Sequence, residues 1–271
     1  MKTKILIYLN VKMWNRIFFG YKKKIFFYFK KMCFTQYSAL VSYPSRNYMV
    51  QDFEEINIQD KIVFFGSSSI RLWKNVNSYF STREILNFGI GGGTWADALF
   101  YTPRLFCGKN ASIILTMFGG NDLMGYIGNE STRLHILEYH LKEFLHCIQK
   151  CTPSTSIILQ DFAKTPQNYY RNEDHKKISE IHHKLSDTFP NIYVSDICNF
   201  TSNLPSSMFE KMYDSDDRMH LNSYGYEIIS PYIENHIDHI LKTDATYKFD
   251  HLLYIIPICL ICLFTKKLFF S

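Results

Sequence analysis

The first 34 residues lack the uninterrupted apolar run that a signal peptide or a membrane-spanning helix requires. No apolar stretch there reaches ten residues, and Ile5 to Leu9 gives only five before Asn10. A secretory signal needs about 7–15 apolar residues in a row and a spanning helix needs about 20. Lysine clusters alternate instead with short aromatic runs, which is typical of a segment on an anionic membrane surface or of an unfolded extension. We expect residues 1–51 to form such a basic, aromatic-rich extension.

Acidic side chains are also missing from this segment, since none occurs before Asp52. The first 31 residues hold nine lysines and arginines, and the whole chain has a formal net charge of +5. The remaining residues carry 21 basic and 25 acidic side chains, so the body of the protein is mildly acidic. An acidic body argues against nucleic acid as a partner, because nucleic-acid binding requires a basic surface.

Cysteine is too scattered for a dense disulfide framework or a complete zinc site. The seven cysteines are at positions 33, 107, 147, 151, 198, 259 and 262. Cys147 and Cys151 with His146 could supply part of a zinc site, but no second Cys/His pair completes four ligands at the usual spacing. We therefore expect no metal, and a main domain in a reducing compartment, on the cytosolic side of a membrane.

Only the C-terminal end carries a longer apolar run. Residues 252–264 are uncharged and mostly apolar, and Lys266 and Lys267 follow. A helix of this length is about 20 Å long, shorter than the roughly 30 Å hydrocarbon core of a bilayer. The run is nevertheless apolar on every face, whereas a helix packed on a domain shows a polar stripe. We interpret residues 244–271 as a hydrophobic tail that favours membrane attachment as a single-pass anchor; a helix packed on the domain is the alternative.

Strand and helix patterns alternate between residues 52 and 243. Five short runs, apolar at nearly every position, predict buried strands of a parallel sheet at 62–65, 85–88, 113–118, 157–160 and 192–194. Apolar residues recur every three or four positions over 132–150 and 223–241, which predicts helices. Histidines within helical patterns, such as His182 and His183, are interpreted as solvent-exposed. The alternation predicts one α/β domain, 52–243, built as a three-layer α/β/α sandwich with a mostly parallel five-stranded sheet.

Polar motifs stand at the ends of three predicted strands and near the end of the domain. Ser68 follows the first strand, Gly92 the second and Asn121 the third, while Asp217 and His220 precede the last helix. Ligands bind at the carboxyl ends of parallel strands. A serine, amide donors and a carboxylate–histidine pair are the groups that hydrolyse an ester through a covalent intermediate. Each motif alone also fits a helix cap, a tight turn or a surface histidine.

The sequence argues against a bound dinucleotide and against a calcium ion, because residues that each of them would need are missing. Residues 89–94 resemble a dinucleotide-binding fingerprint, but Thr94 stands where the third glycine is required, and no acidic ribose partner follows about 20 residues on. Asp214, Asp216 and Asp217 lack the spaced oxygen ligands of a calcium loop. We expect the chemistry to need no cofactor and no metal.

The order of the four motifs resembles that of the SGNH hydrolase superfamily, also called the GDSL esterase/lipase family. The resemblance covers residues 52–242, and Asn87-Phe88-Gly89-Ile90-Gly91-Gly92 looks like the branch of the platelet-activating-factor acetylhydrolase catalytic subunits. It implies the flavodoxin-like SGNH fold. The chain departs from the family pattern at Ser67, where an aspartate is usual, and at Gly93, where aspartate or serine is frequent. We expect these departures to change the pocket rather than the mechanism.

The same resemblance implies roles for individual residues. Ser68 would be the nucleophile, His220 the general base and Asp217 the acid that orients it. The N–H groups of Ser68 and Gly92 and the side chain of Asn121 would form the oxyanion hole. The implied activity is that of a serine esterase acting on acyl or acetyl esters, including lipid esters, through an acyl-enzyme intermediate. Two alternatives stay open: an acyltransferase that uses the same serine, and a non-catalytic binding module. The oligomeric state is left open.

Overall fold

The computed structural model describes residues 47–80, 83–125, 129–163, 165–166 and 172–243. Most of the predicted N-terminal extension and all of the hydrophobic tail lie outside the described residues. None of the helices within the described part of the chain is both long enough and apolar enough to cross a bilayer. The predicted anchor at 252–264 is not among them and stays a prediction.

Within the described residues, five strands alternate with helices. The strands are β1 (Ile62–Gly66), β2 (Ile85–Gly89), β3 (Ile113–Met117), β4 (Ser156–Gln160) and β5 (Ile192–Ser195). The helices are α1 (Asn47–Glu54), α2 (Ser68–Arg71), α3 (Trp95–Leu105), α4 (Gly120–Gly125), α5 (Glu130–Cys151), α6 (Asn172–Ser186), α7 (Ile197–Ser202), α8 (Ser206–Lys211) and α9 (223–243). All five strands lie within one residue of their predicted bounds, because buried parallel strands are apolar at nearly every position.

The strands form one parallel sheet in the order β2-β1-β3-β4-β5. The chain runs outward from β1 to β2 and then returns to place β3 on the other side of β1. This reversal makes the carboxyl edge between β1 and β3 the topological switch point, where open α/β sheets bind their ligands. The predicted α/β fold with a five-stranded parallel sheet is confirmed.

Large aromatic side chains fill both faces of β1. Phe64 and Phe65 are fully buried and point to opposite faces, as alternate residues of a strand do. Phe64 packs against Trp73 with ring centroids 5.5 Å apart, and Phe65 packs against Phe118 at 5.0 Å. Burial of this much apolar area is the main free-energy term that holds the end of β1 in place.

The described residues fall into two compact units, one that ends at Tyr226 and one that begins at Glu227. The first contains the whole sheet and every residue of the site described below. The described part of the second is 227–243 of α9, in which Ile229, Ile233, Ile237 and Ile240 are buried. Their spacing of three and four residues puts them on one face of the helix, as the periodicity predicts.

A disulfide joins Cys107, just after α3, to Cys151, the last residue of α5. Spacing along a sequence does not reveal which cysteines pair, and these two are separated by 44 residues. The bond removes Cys151 from the zinc site considered above. It also argues against the predicted reducing compartment, because disulfides persist in oxidising environments.

The interpretation of His182 as a surface residue is wrong. His182 is fully buried on the face of α6 that also carries Ile178 and Leu185. Its Nδ1 atom lies 2.6 Å from Oδ1 of Asp161, a buried residue that directly follows β4. A polar side chain tolerates burial when it is hydrogen-bonded. The partner comes from another part of the chain, so helical periodicity could not reveal it.

Candidate active site

The end of β1 presents Ser68 at the carboxyl edge of the sheet. Gly66 is the last residue of β1. A Cβ atom at this position would lie 2.3 Å from Cγ1 of Ile70 in α2, so only glycine fits there. The Ser67 N–H donates to the Met117 carbonyl at 3.0 Å, and α2 begins at the next residue. Ser68 is half-buried, with its hydroxyl facing a cavity.

Three polar side chains form a continuous hydrogen-bonded chain at this edge. The Nε2 atom of His220 lies 2.8 Å from Oγ of Ser68, and its Nδ1 atom lies 2.5 Å from Oδ2 of Asp217. The other carboxylate oxygen of Asp217 accepts the backbone N–H groups of Met219 at 2.8 Å and His220 at 2.9 Å. The structure thus brings the predicted nucleophile, base and orienting acid together.

Asp217 is held as a carboxylate by these contacts. Burial alone raises the pKa of Asp217, but the hydrogen bonds from the His220 side chain and from the backbone of His220 and Met219 outweigh it. The net pKa of Asp217 is therefore lower than usual. An ionised carboxylate on Nδ1 leaves Nε2 of His220 as the atom that faces the serine.

A short closed loop carries Asp217 and His220. Its ends pair at a β-bridge between Tyr213 and Leu221, and the Asp214 N–H donates to the His220 carbonyl at 2.8 Å. The side-chain amide of Asn222 donates to the Tyr213 carbonyl, also at 2.8 Å. Asn222 was not predicted from the sequence, although asparagine is a typical turn residue because its side chain hydrogen-bonds to nearby backbone groups.

Tyr226 connects this loop to the helix of Ser68. Its hydroxyl donates to the Ser69 carbonyl at 2.7 Å, and its ring stacks on Trp73 with centroids 4.6 Å apart. Burial, with Tyr79 and Asp217 nearby, raises the pKa of Tyr226, so the hydroxyl keeps its proton and remains a donor. Nothing in the sequence singles out this tyrosine among nineteen.

Gly92 and Asn121 lie on the other side of the same cavity. Gly92 has a φ of +67°, a left-handed conformation that favours glycine. The Asn121 side-chain nitrogen donates to the Gly93 carbonyl at 2.8 Å. A side-chain amide has two N–H donors, so this bond orients the amide and leaves the second donor for a ligand. All five predicted site residues therefore line or directly support one cavity.

Close packing explains the glycines of the β2–α3 turn. A Cβ atom at Gly89 would lie 2.1 Å from the backbone nitrogen of Arg71, and one at Gly93 would lie 2.9 Å from the Ile90 carbonyl. Gly89 therefore allows the turn to pack closely against α2. This packing explains the glycine without a bound dinucleotide. Gly93 leaves no room for the aspartate or serine that the family resemblance leads one to expect there.

The cavity beside Ser68 has a volume of about 290 Å³. The lining includes Ser68, Gly92, Asn121 and His220. It also includes an apolar wall made by Met117, Phe162, Ala163, Met219 and Leu221. Polar donors and apolar side chains in one cavity suit a ligand that combines a carbonyl group with a hydrocarbon part.

Among the described residues, no group of three His, Cys, Asp or Glu side chains is arranged to hold a metal ion. A further buried carboxylate, Asp122, accepts hydrogen bonds from the Trp95 N–H at 3.0 and 3.2 Å. No role was predicted for Asp122, although the preceding Asn121 was a predicted site residue. The available signal was an acidic residue in the turn that follows the apolar β3.

Comparison with solved structures supports the fold. A candidate platelet activating factor from Streptococcus pneumoniae aligns with a TM-score of 0.60 and 17% identity, over 70% of this chain and 92% of that chain. A lipase/acylhydrolase from Enterococcus faecalis aligns at 0.51 and 18%, over 66% and 95%. A candidate acylhydrolase from Bacteroides fragilis aligns at 0.53 and 18%, over 74% and 97%. At these identities the likeness shows the fold alone.

Comparison with protein families shows to which family the chain belongs. No curated protein matches the chain. Residues 65–228 match the model of the GDSL-like Lipase/Acylhydrolase family, and this segment runs from the end of β1 into α9. It contains every predicted site residue. The match covers more than half of the sequence, so the chain belongs to the GDSL-like lipase/acylhydrolase family and is a hydrolase that acts on ester bonds.

Proposed function

We propose that the protein hydrolyses carboxylic esters through an acyl-enzyme intermediate on Ser68. The observation that carries this proposal is the hydrogen-bonded chain from Asp217 through His220 to the Ser68 hydroxyl. A serine hydroxyl is a weak nucleophile until a neighbouring base can take its proton. A histidine oriented by a carboxylate is a base suited to that task.

The reaction has two steps, acylation of Ser68 and hydrolysis of the acyl-enzyme. Ser68 Oγ attacks the ester carbonyl carbon while His220 Nε2 takes the hydroxyl proton, and a tetrahedral intermediate forms. The bond to the alcohol oxygen then breaks, and His220 returns the proton to the departing alcohol, which leaves an acyl-Ser68 ester. Water attacks this ester with His220 again as the base. Release of the carboxylic acid regenerates the serine.

Three donors are available for the negative oxygen of each tetrahedral intermediate. They are the backbone N–H groups of Ser68 and Gly92 and the second N–H of the Asn121 side chain. Preorganised donors stabilise charge that develops only in the transition state, so they accelerate the reaction rather than merely bind substrate. The bond from Asn121 to the Gly93 carbonyl, at 2.8 Å, supports this role because it fixes the amide before substrate arrives.

The cavity of about 290 Å³ beside Ser68 combines polar donors with apolar side chains, which suits a ligand that has both a carbonyl group and a hydrocarbon part. An ester provides both. The relative rates of an ester series of increasing acyl length measure which chain the cavity accepts.

Hydrolysis of p-nitrophenyl esters from acetate to palmitate by the full-length protein tests the proposal. Ser68→Ala is the matched variant, and mass spectrometry of acid-quenched reactions searches for an acyl adduct. We expect ester turnover and an adduct on Ser68 in the wild type, and neither in Ser68→Ala. Equal turnover by both proteins would contradict the proposal. Transfer of the acyl group to an added alcohol in preference to water would favour the acyltransferase alternative instead.

A further inference from the structure

Asp122 is a fully buried carboxylate directly beside an oxyanion donor. It follows Asn121 in α4 and has no exposed surface. Both of its carboxylate oxygens accept the N–H of Trp95, at 3.0 and 3.2 Å. Trp95 is the first residue of α3, so its N–H has no partner within its own helix. Burial of a carboxylate is costly unless hydrogen bonds compensate for the lost hydration, and the contact with Trp95 supplies part of this compensation.

The contact connects the two segments that carry the proposed side-chain and backbone donors. Gly92 lies in the turn between β2 and α3, and Asn121 lies at the start of α4. Two hydrogen bonds join these segments: from the Asn121 side chain to the Gly93 carbonyl, and from the Trp95 N–H to Asp122. Asn121 and Asp122 are neighbours in α4, and they hydrogen-bond to Gly93 and Trp95, the residues on either side of Thr94.

Other contacts also hold α3 in the core. The Trp95 ring is fully buried, and its centroid lies 5.3 Å from that of Phe118 and 5.2 Å from that of Phe144. Thr94 and Asp97 form a capping box at the same helix end, with the Asp97 carboxylate 2.9 Å from the Thr94 nitrogen. Loss of Asp122 should therefore loosen the turn without releasing the helix.

We propose that Asp122 is a positioning residue that sets the separation between the Gly92 and Asn121 donors. The inference rests on the proposed function, in which both donors bind the oxyanion. Such donors must lie about 2.7–3.1 Å from the developing negative oxygen, and a misplacement of 1 Å can reduce the rate about 10²-fold. A carboxylate that fixes the turn to α4 acts on the transition state through these two donors, without contacting substrate.

Replacement of Asp122 tests this role in the full-length protein with p-nitrophenyl butyrate. Asp122→Ala should lower kcat about 10²-fold and leave KM nearly unchanged. Asp122→Asn retains an oxygen that can accept the Trp95 N–H, and it should retain most of the activity. If Asp122→Ala does not fold, Asp122→Ser takes its place. The serine side chain is polar, but its hydroxyl is too short to reach the Trp95 N–H. Thermal unfolding confirms that each variant is folded.

Asp97→Ala is the matched control. Asp97 is also a fully buried carboxylate at the start of α3, but its bonds to Thr94 lie within one segment of chain. This variant should lower Tm and change kcat less than Asp122→Ala does. Equal losses of kcat in the two variants would overturn the inference, and so would an Asp122→Asn variant as inactive as Asp122→Ala.

A double-mutant cycle separates positioning from stability. Asp122→Ala should cost less activity in an Asn121→Ala background than in the wild type, because the two residues act on the same donors. Full additivity would overturn the inference. An Asn121→Ala variant with unchanged kcat would instead overturn the oxyanion assignment itself, so failure of the inference and failure of the proposed function give different results.

Discussion

His220 Nε2 and Ser68 Oγ lie 2.8 Å apart although 152 residues separate them in the sequence. The contact depends on two local structures, the turn after β1 and the closed loop before α9. Tyr226 connects them through its hydrogen bond to the Ser69 carbonyl. These contacts place His220 beside Ser68 before any substrate binds.

Removal of the imidazole should abolish most of the activity. We expect His220→Ala to lower kcat by about 10²–10⁴-fold, the usual contribution of a general acid–base group. His183→Ala, which alters an exposed histidine of α6, is the control and should be neutral. Steady-state kinetics with p-nitrophenyl butyrate measures both. Equal kcat values in the two variants would exclude His220 as the base.

Asn121→Ala should lower kcat by about 10²–10³-fold, the typical effect of losing one oxyanion donor. KM should change little, because the lost hydrogen bond forms mainly in the transition state. Asn129→Ala removes an asparagine that caps α5, where its side chain accepts the Thr132 N–H at 2.9 Å. That control should affect Tm more than kcat. A large rise in KM with constant kcat for Asn121→Ala would indicate a role in substrate binding only.

Met117→Ala should shift the substrate preference toward longer acyl chains. Met117 ends β3 and lines the apolar wall of the cavity, so its truncation enlarges the space beside Ser68. The ratio of kcat/KM for the octanoate and acetate esters measures the shift. Met124→Ala is the control, since Met124 is 50% exposed on α4. An unchanged ratio in a folded Met117→Ala protein would show that this wall does not limit chain length.

The contribution of Asp217 to stability should depend on pH. The pKa of Asp217 is lowered in the folded protein because the hydrogen bonds around it outweigh burial. Its charged form therefore stabilises the fold above the unfolded pKa of about 3.9, and this contribution is lost as pH falls through the lower folded pKa.

Melting curves of the wild type and Asp217→Asn between neutral and strongly acidic pH test this sign. The difference in Tm should be largest near neutral pH and should shrink once the pH falls below about 4. The effect should be modest, because the Asp217 side chain is 42% exposed and solvent screens its charge. A difference that grows on acidification would contradict the lowered pKa.

Local sequence pattern determined the elements and the family resemblance. Buried parallel strands are apolar at nearly every position, so the bounds of β1 to β5 could be predicted within one residue. Because the carboxyl ends of parallel strands share one edge, the positions of Ser68, Gly92 and Asn121 after successive strands were sufficient to predict a common site. Their catalytic roles stay predictions that the variants above test.

Only the tertiary structure decided the contacts between distant segments. Cys107 and Cys151 pair, His182 is buried beside Asp161, and Asp122 holds the Trp95 N–H, although no periodic pattern marks any of these partners. Periodicity reports which face of a helix or strand is apolar, but not which segment will cover it. A buried polar residue is stabilised by a partner that only the complete packing supplies, and for this reason the support of the site could not be predicted from the sequence.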